Sequence, residues 1–394
     1  MTMRFLTTVL LVLPFAAFSQ TENTDRPVLK ALPLDFEDQP PQPAITVRPA
    51  LPPQAPEAAA LPIPTPAPMP IPATAADPTA SIDEKPTGDD AVRLQIFLDQ
   101  SNFGPGVIDG KIGRFSELAV RSWNENQGHP IESWRAANIA ARAAVPNPYA
   151  VAIVPEAAEK WVNPGLSHKR PEQAKAKQMS YRSIGEFMSE RYHTDVPYLI
   201  SLNSASKINN LKPRDTIIVP NVKAFEVELL TDRSYSELED LGERYAVVDT
   251  KNNQVRIFAA APRPNIISDP GLSSAPLPNK ALLASFPITP GKPQFVELGS
   301  WKLKNMVELP WWRYDQQLLD TGKRSENALM IPPGPNSPVG IIWNGTTRPG
   351  IGLHGTSDPE TIGRSQSAGC IRLANWDAIR LPTLIRPGAT IEIR

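Results

Sequence analysis

Cys370 is the only cysteine in the 394-residue chain, and His354, one of four histidines, stands sixteen positions before it. A thiolate is a strong nucleophile, yet a free thiol with a pKa near ~8.5 is only a few per cent ionised at neutral pH, so it needs a base. His354 closes the apolar run GIGL and is followed by Gly355, which puts its imidazole at a strand end where the chain can turn it into a cleft. Cys370 follows Ala368 and Gly369 and opens the apolar run CIRL. Small residues just before a nucleophile let backbone N–H groups face a developing oxyanion, as acyl transfer requires, and this singles out Gly369. Arg372 lies two residues on and so projects to the same side of a strand as Cys370. It offers a fork for a substrate carboxylate or a charge for the thiolate; the alternative is a structural ion pair. An activated thiol of this kind is expected to have a pKa below the free value, whereas a buried inert thiol would not.

Strands must position these residues. From Arg244 onward the runs YAVVDT, QVRIFAA, KALLASFPI, SWKLKNM, VGIIWN, GIGLHG, CIRL and ATIEIR are short, β-branched and separated by Gly, Pro or Asn. In the last, Ile391 and Ile393 alternate with Glu392 and Arg394, as one buried face requires. Between His354 and Cys370, Ser357-Asp358-Pro359-Glu360 reads as a capping box with proline at the first helical position, and predicts one short helical turn. Asn375 reads as the cap of a helix starting at Trp376.

At these residues the sequence resembles the L,D-transpeptidase family, the YkuD-type catalytic domain. The family pattern is His-Gly-Thr, a polar loop, then Ser-x-Gly-Cys-Ile/Val-Arg, and His354-Gly355-Thr356 with Ser367-Ala368-Gly369-Cys370-Ile371-Arg372 fill every fixed place. The likeness covers 244–394, including Pro310 to Trp312 and the PPGPNSPVG segment from Pro332 to Gly340. It implies a mostly β domain of YkuD-type β-sandwich form, with Cys370 as nucleophile, His354 as base and the Gly355 carbonyl orienting the imidazole. Many members carry a histidine where this chain has Ala368, so His354 is the one histidine near the motif. Ser367 would position substrate or simply hydrogen-bond the loop. Trp311 and Trp312 would wall a substrate groove or pack in a core. The implied reaction is attack on a peptidoglycan tetrapeptide stem, release of D-alanine, and transfer of the thioester-bound stem to an amine. Partners are then the stem peptides and glycan of the wall, with no cofactor; no metal-ligand spacing appears either.

The remaining sequence fits an exported wall protein. Residues 1–19 read as a signal peptide, with one arginine, an apolar run and small residues before the cleavage point. That run is shorter than the ~20 residues a membrane span needs, and none follows, so no stable span is expected. A single cysteine forms no internal disulfide. The net charge of −1 provides no basic excess for nucleic acid. Residues 20–88, rich in Pro and Ala, read as a disordered or polyproline spacer.

Residues 89–145 resemble a small helical peptidoglycan-binding module, carried by Leu94-Gln95, Gly104 to Gly106, Ile108-Asp109-Gly110 and Trp123-Asn124. A connector, 146–178, leads to 179–221, which resembles a LysM domain of strand, two helices and strand. That fold recognises N-acetylglucosamine glycans, but the usual opening Gly-Asp-Thr is replaced by Arg182-Ser183-Ile184. A second connector spans 222–243. On this division, a chain beginning at Arg244 should keep activity on soluble stems. Two rival readings are a wall-cutting cysteine peptidase (an L,D-carboxypeptidase, water replacing the amine) and a non-catalytic wall-binding protein. The order of His before Cys and the intact motif argue against them.

Overall fold

Alternation along ATIEIR buries Ile391 and Ile393 and leaves Glu392 between them half-buried, and this strand sits inside an eight-stranded sheet. A computed structural model describes residues 68–70, 81–259, 281–292, 296–317, 325–364 and 369–394. The apolar leader, most of the Pro/Ala-rich stretch, Ser367 and Ala368 lie outside the described residues.

The strands in chain order are β1 (Met69–Pro70), β2 (Tyr149–Ile153), β3 (Thr216–Pro220), β4 (Tyr245–Asp249), β5 (Gln254–Phe258), β6 (Leu282–Pro287) and β7 (Gly299–Glu308). They continue as β8 (Trp312–Tyr314), β9 (Leu329–Ile331), β10 (Ile342–Thr346), β11 (Gly352–His354), β12 (Ile371–Arg372) and β13 (Thr390–Ile393). The large sheet runs β12-β11-β10-β7-β13-β4-β5-β6. Its neighbours are antiparallel except for β11 with β12 and β13 with β4. Beyond β6, Thr289 bridges Arg372 through N–H···O bonds of 2.9 and 3.0 Å, so the two edges of the sheet meet. Where a sandwich is expected from the sequence, one sheet curls to its own far edge. Alternation specifies a buried face but not whether a second sheet or the same sheet covers it.

The front of the molecule is part of this body. Helices α1 (Gly88–Gln100), α2 (Arg114–Gln127) and α3 (Arg135–Ala144) bury Leu94, Leu98, Ala119, Trp123 and Ala141 in one cluster with Val247, Phe258 and Leu282 of the large sheet. Phe103 and Ser285 pair as a parallel bridge, and Gly104 N donates to the Ser285 carbonyl at 2.7 Å. Gln95 staples the turn that follows: its Oε1 accepts from Asp109 N at 3.1 Å and Gly110 N at 2.8 Å.

In 179–221 the helices Ile184–Arg191, Val196–Leu202 and Ala205–Asn209 precede β3. The expected opening strand is reduced to a single bridge between Tyr181 and Val162. Instead, β3 pairs antiparallel with β2, from Tyr149 opposite Pro220 to Ile153 opposite Thr216. Thus YAVAI, placed by sequence in the connector, supplies the strand, its alternate side chains buried. On the far edge of β2, β1 adds from within the expected spacer, with Met69 opposite Val151. The connector 222–243 is also bound: Tyr235 N donates to Met306 O, and Glu308 N to Arg233 O, both at 2.9 Å. The fully buried Glu308 carboxylate accepts from Arg233 Nε at 2.9 Å, Thr231 N at 3.1 Å and the Tyr235 hydroxyl. One continuous core runs from Val92 through Phe187 and Leu199 to Ile257, Leu353 and Ile371.

Candidate active site

The sixteen-residue spacing of His354 and Cys370 has a topological cause. Strands β11 and β12 are parallel, with Leu353 opposite Ile371 and His354 opposite Arg372. A parallel pair needs a crossover of about a dozen residues or more, and the loop between the two residues is that crossover. Leu353 and Ile371 are fully buried on one face, so period-two alternation turns His354, Arg372 and the adjoining Cys370 to the other. The three are thereby brought to one place.

His354 is 4% exposed, and its Nδ1 lies 2.7 Å from the Gly355 carbonyl. A carbonyl only accepts, so Nδ1 carries the hydrogen and Nε2 of the neutral ring keeps its lone pair. Trp343, opposite on β10, stacks on the imidazole with centroids 5.5 Å apart and planes 21° apart. The main chain is pinned as well: Leu373 N donates to His354 O at 2.8 Å. Burial lowers the His354 pKa to about 4; Arg372 acts in the same direction and the Gly355 carbonyl opposes.

Cys370 is partly exposed, and its Sγ donates to the Gly350 carbonyl at 3.5 Å. Desolvation raises the thiol to about 11, against the downward pull of the Gly352 backbone and Arg372. The low-pKa thiolate expected from the sequence is therefore not the resting form. Thiol and imidazole are therefore both neutral at pH 7. Gly369 has φ +118°, a conformation that favours glycine, and packs backbone to backbone on Gly291, where an added Cβ would lie 2.4 Å from Gly369 Cα.

The loop departs from its expected capping. A 3₁₀ turn, Pro359–Thr361, follows Asp358 and has no side-chain cap; Ser357 Oγ instead donates to Asp358 Oδ2 at 2.6 Å. Moving the cap position to Asp358 leaves Glu360 one residue short of the place a capping box needs. Asn375 does not cap either, since it is itself the first residue of the helix Asn375–Ala378. Fully buried, it accepts from Ile341 N at 3.2 Å and donates to Pro335 O at 3.3 Å. A Cβ on Gly355 would lie 1.9 Å from Asn375 Oδ1, so a glycine after His354 leaves room for the amide.

Trp312 lies in the two-stranded sheet of β8 and β9 and packs with the cluster of Leu166, Met179 and Ile331, with the Arg170 guanidinium 5.2 Å from its ring centre. Trp311 is 42% exposed. Ser367 falls outside the described residues. Sequence reasoning missed Trp343 as the platform for His354. It also missed Asn344, fully buried and donating to Leu353 O at 2.9 Å. An amide inside the apolar run IIWN was the available signal, because a buried polar group needs a partner.

Residues 274–393 match the family model of the YkuD L,D-transpeptidase catalytic domain. A putative L,D-transpeptidase YkuD of Bacillus licheniformis is 36% identical over 61 residues, 16% of this chain and 37% of the relative. The corresponding protein of Bacillus subtilis is 37% identical over 59 residues, 15% of this chain and 36% of its own length. The chain thus spans little more than a third of the curated relatives it matches. Among solved structures, L,D-transpeptidase 3 of Mycobacterium tuberculosis aligns over 39% of this chain and 61% of its own, at 13% identity and TM-score 0.26. An Enterococcus faecium L,D-transpeptidase aligns over 46% and 56%, at 14% identity and TM-score 0.25. The match spans β6 to β13 and includes both His354 and Cys370, so it is this stretch of the chain that is similar to the YkuD L,D-transpeptidase catalytic domain.

Proposed function

We propose that the protein is an exported peptidoglycan L,D-transpeptidase, acting in the periplasm or cell wall. The observation that supports this most is the hydrogen bond from His354 Nδ1 to the Gly355 carbonyl at 2.7 Å, which leaves Nε2 as the base on the face shared with Cys370. Cys370 Sγ attacks the carbonyl between the third and fourth residues of a tetrapeptide stem as its proton passes to His354 Nε2. The carbonyl electrons move onto oxygen, where backbone N–H groups at Gly369 and Cys370 stabilise the charge. Collapse breaks the C–N bond, the imidazolium gives its proton to the departing D-alanine amine, and a thioester remains. Burial disfavours the imidazolium, so the proton is readily passed on to that amine. A second amine then attacks the thioester, His354 takes its proton, and the thiol is restored. Arg372 binds a substrate carboxylate, Ser367 helps to place the stem, and the exposed Trp311 with Trp312 borders the groove.

The test is product analysis with purified disaccharide-tetrapeptide and the full chain. A cross-linked dimer, an exchanged monomer or a tripeptide identifies the acceptor as a stem, a D-amino acid or water. The variant Cys370→Ala should give none of these, and near wild-type turnover in it would overturn the mechanism. A carbapenem adduct found by intact mass and absent from Cys370→Ser would locate the acylated atom, since the chain has one cysteine.

A further inference from the structure

The chain from His354 to Arg372 carries the nucleophile back to the base, and Thr289-Pro290-Gly291, just after β6, touches it at three points. At Arg372 the contact is main chain to main chain: Thr289 N donates to Arg372 O at 2.9 Å and Arg372 N to Thr289 O at 3.0 Å. At Gly369 it is a close approach, since a Cβ on Gly291 would lie 2.7 Å from Gly369 N. At Gly363 it is a side chain: Gly363 N donates to Thr289 Oγ1 at 2.8 Å. Thr289 is fully buried, and branching at its Cβ restricts χ1, so the direction of the hydroxyl is set. Gly363 has φ +72° and is enclosed on its other sides. Asn253 Nδ2 donates to its carbonyl at 3.5 Å, and an added Cβ would lie 2.2 Å from Phe115 Cζ of α2. The gripping segment is itself tied down, because Ile288 N donates to Asn253 O at 2.9 Å.

We infer that Thr289 is a positioning residue for acyl transfer: its hydroxyl holds Gly363 and its main chain holds Arg372, which together fix where Gly369 and Cys370 stand relative to His354. The inference rests on the reading of His354 and Cys370 as base and nucleophile. The two halves of the grip are separable. Any residue at 289 other than proline can make both main-chain bonds to Arg372, but only a hydroxyl there accepts from Gly363. Valine has the shape of threonine without the acceptor, so Thr289→Val keeps the strand pairing and leaves the Gly363 N–H without its partner. Serine keeps the acceptor and loses only the methyl branch that limits its rotation.

The experiment measures kcat and KM with disaccharide-tetrapeptide, and the rate of carbapenem acylation, for the full chain as wild type, Thr289→Val, Thr289→Ala, Thr289→Ser and Cys370→Ala. Circular dichroism melting identifies the folded variants. Displacing the nucleophile by up to about an ångström should lower kcat and the acylation rate by about 10- to 100-fold in Thr289→Val, with KM within about twofold. Thr289→Ala also lacks the acceptor and serves if the valine variant does not fold. Thr289→Ser should restore most of both rates. Amide hydrogen exchange at Gly363 should be faster in the valine variant than in the wild type and slow again in the serine variant. A role in stability alone would shift the melting point and leave kcat of the folded protein unchanged. Wild-type kcat in folded Thr289→Val or Thr289→Ala would therefore overturn the proposal, and so would a serine variant as slow as the valine one. Failure of both valine and alanine variants to fold would overturn it too, since the hydroxyl would then serve the fold. Turnover that survives in Cys370→Ala would instead remove the reading on which the inference rests.

Discussion

The molecule contains two buried histidines that look alike in isolation, His193 and His354. Each is under 5% exposed, at 3% and 4%. Each is stacked on a tryptophan: His193 on Trp376 at 5.3 Å and 8°, His354 on Trp343 at 5.5 Å and 21°. Each has Nδ1 hydrogen-bonded, and burial lowers the pKa of both. Their Nδ1 partners differ. His193 faces the Asp99 carboxylate at 3.1 Å, whose charge is already matched by Arg380 Nη2 at 2.7 Å. His354 faces an uncharged carbonyl beside a thiol. The first looks more like the base and carboxylate of a hydrolase, yet its partners are Asp99 of α1 and Arg380 and Trp376 near the C-terminus, and none of them is a cysteine. A histidine's role here follows from what its free nitrogen can reach, and the pairing with a carboxylate does not decide it.

Truncation tests the comparison most severely. A chain beginning at Arg244 keeps His354 and Cys370 but removes His193, Asp99 and every residue that covers Val247, Phe258 and Leu282 on the front side. The sequence reading has such a chain active. The shared core leads instead to the expectation that it aggregates or melts without cooperativity. Cooperative unfolding and full turnover of the truncated chain would show the front modules to be dispensable.

Point substitutions come next. Removing a general base typically costs 10²–10⁴-fold, so His354→Ala should lose about that much turnover with its melting point little changed. His193→Ala should do the reverse, keeping kcat within a few fold while losing roughly 2–4 kcal/mol in denaturant titration, because it leaves Asp99 short of a buried partner. Loss of turnover in His193→Ala with stability intact would erase the distinction.

The smallest effect concerns pH at the His193 junction. Asp377, 3.8 Å from Arg380, is raised by burial to about 7. The folded state therefore binds its proton more tightly than the unfolded chain, and stability declines as pH rises from about 4 to about 7, by up to ~4 kcal/mol. Asp99 has the opposite sign. Burial would raise its carboxyl, but Arg380 and His193 hold it well below the usual range, so its contribution is present above about pH 4 and lost below. Asp377→Asn should flatten the slope between pH 4 and 7 and leave the acid limb; an unchanged slope in melting curves across pH would exclude Asp377 as its source. At the other histidine the same titration should show turnover persisting below pH 6, since His354 stays neutral down to about 4.

The sequence by itself pointed to a chemistry and determined many of the local elements. One cysteine, one nearby histidine and the glycines beside them made the candidate couple legible, because nucleophile, base and oxyanion donors are residue types read from local sequence. Alternation marked the strands, since it is a short-range periodicity, and the motif residues Leu94-Gln95 and Trp123-Asn124 marked α1 and α2. Tertiary structure decided how the sheet closes, through Thr289 and Arg372, and that YAVAI pairs with β3, because strand partners lie far apart in the chain. It also decided that Asn375 bonds Pro335 O and Ile341 N and does not cap a helix, because a side-chain amide bonds whichever backbone groups packing leaves unpaired. The protonation states depend on tertiary structure as well. No residue spacing encodes desolvation, and it is desolvation that sets His354 and Cys370 as a neutral pair.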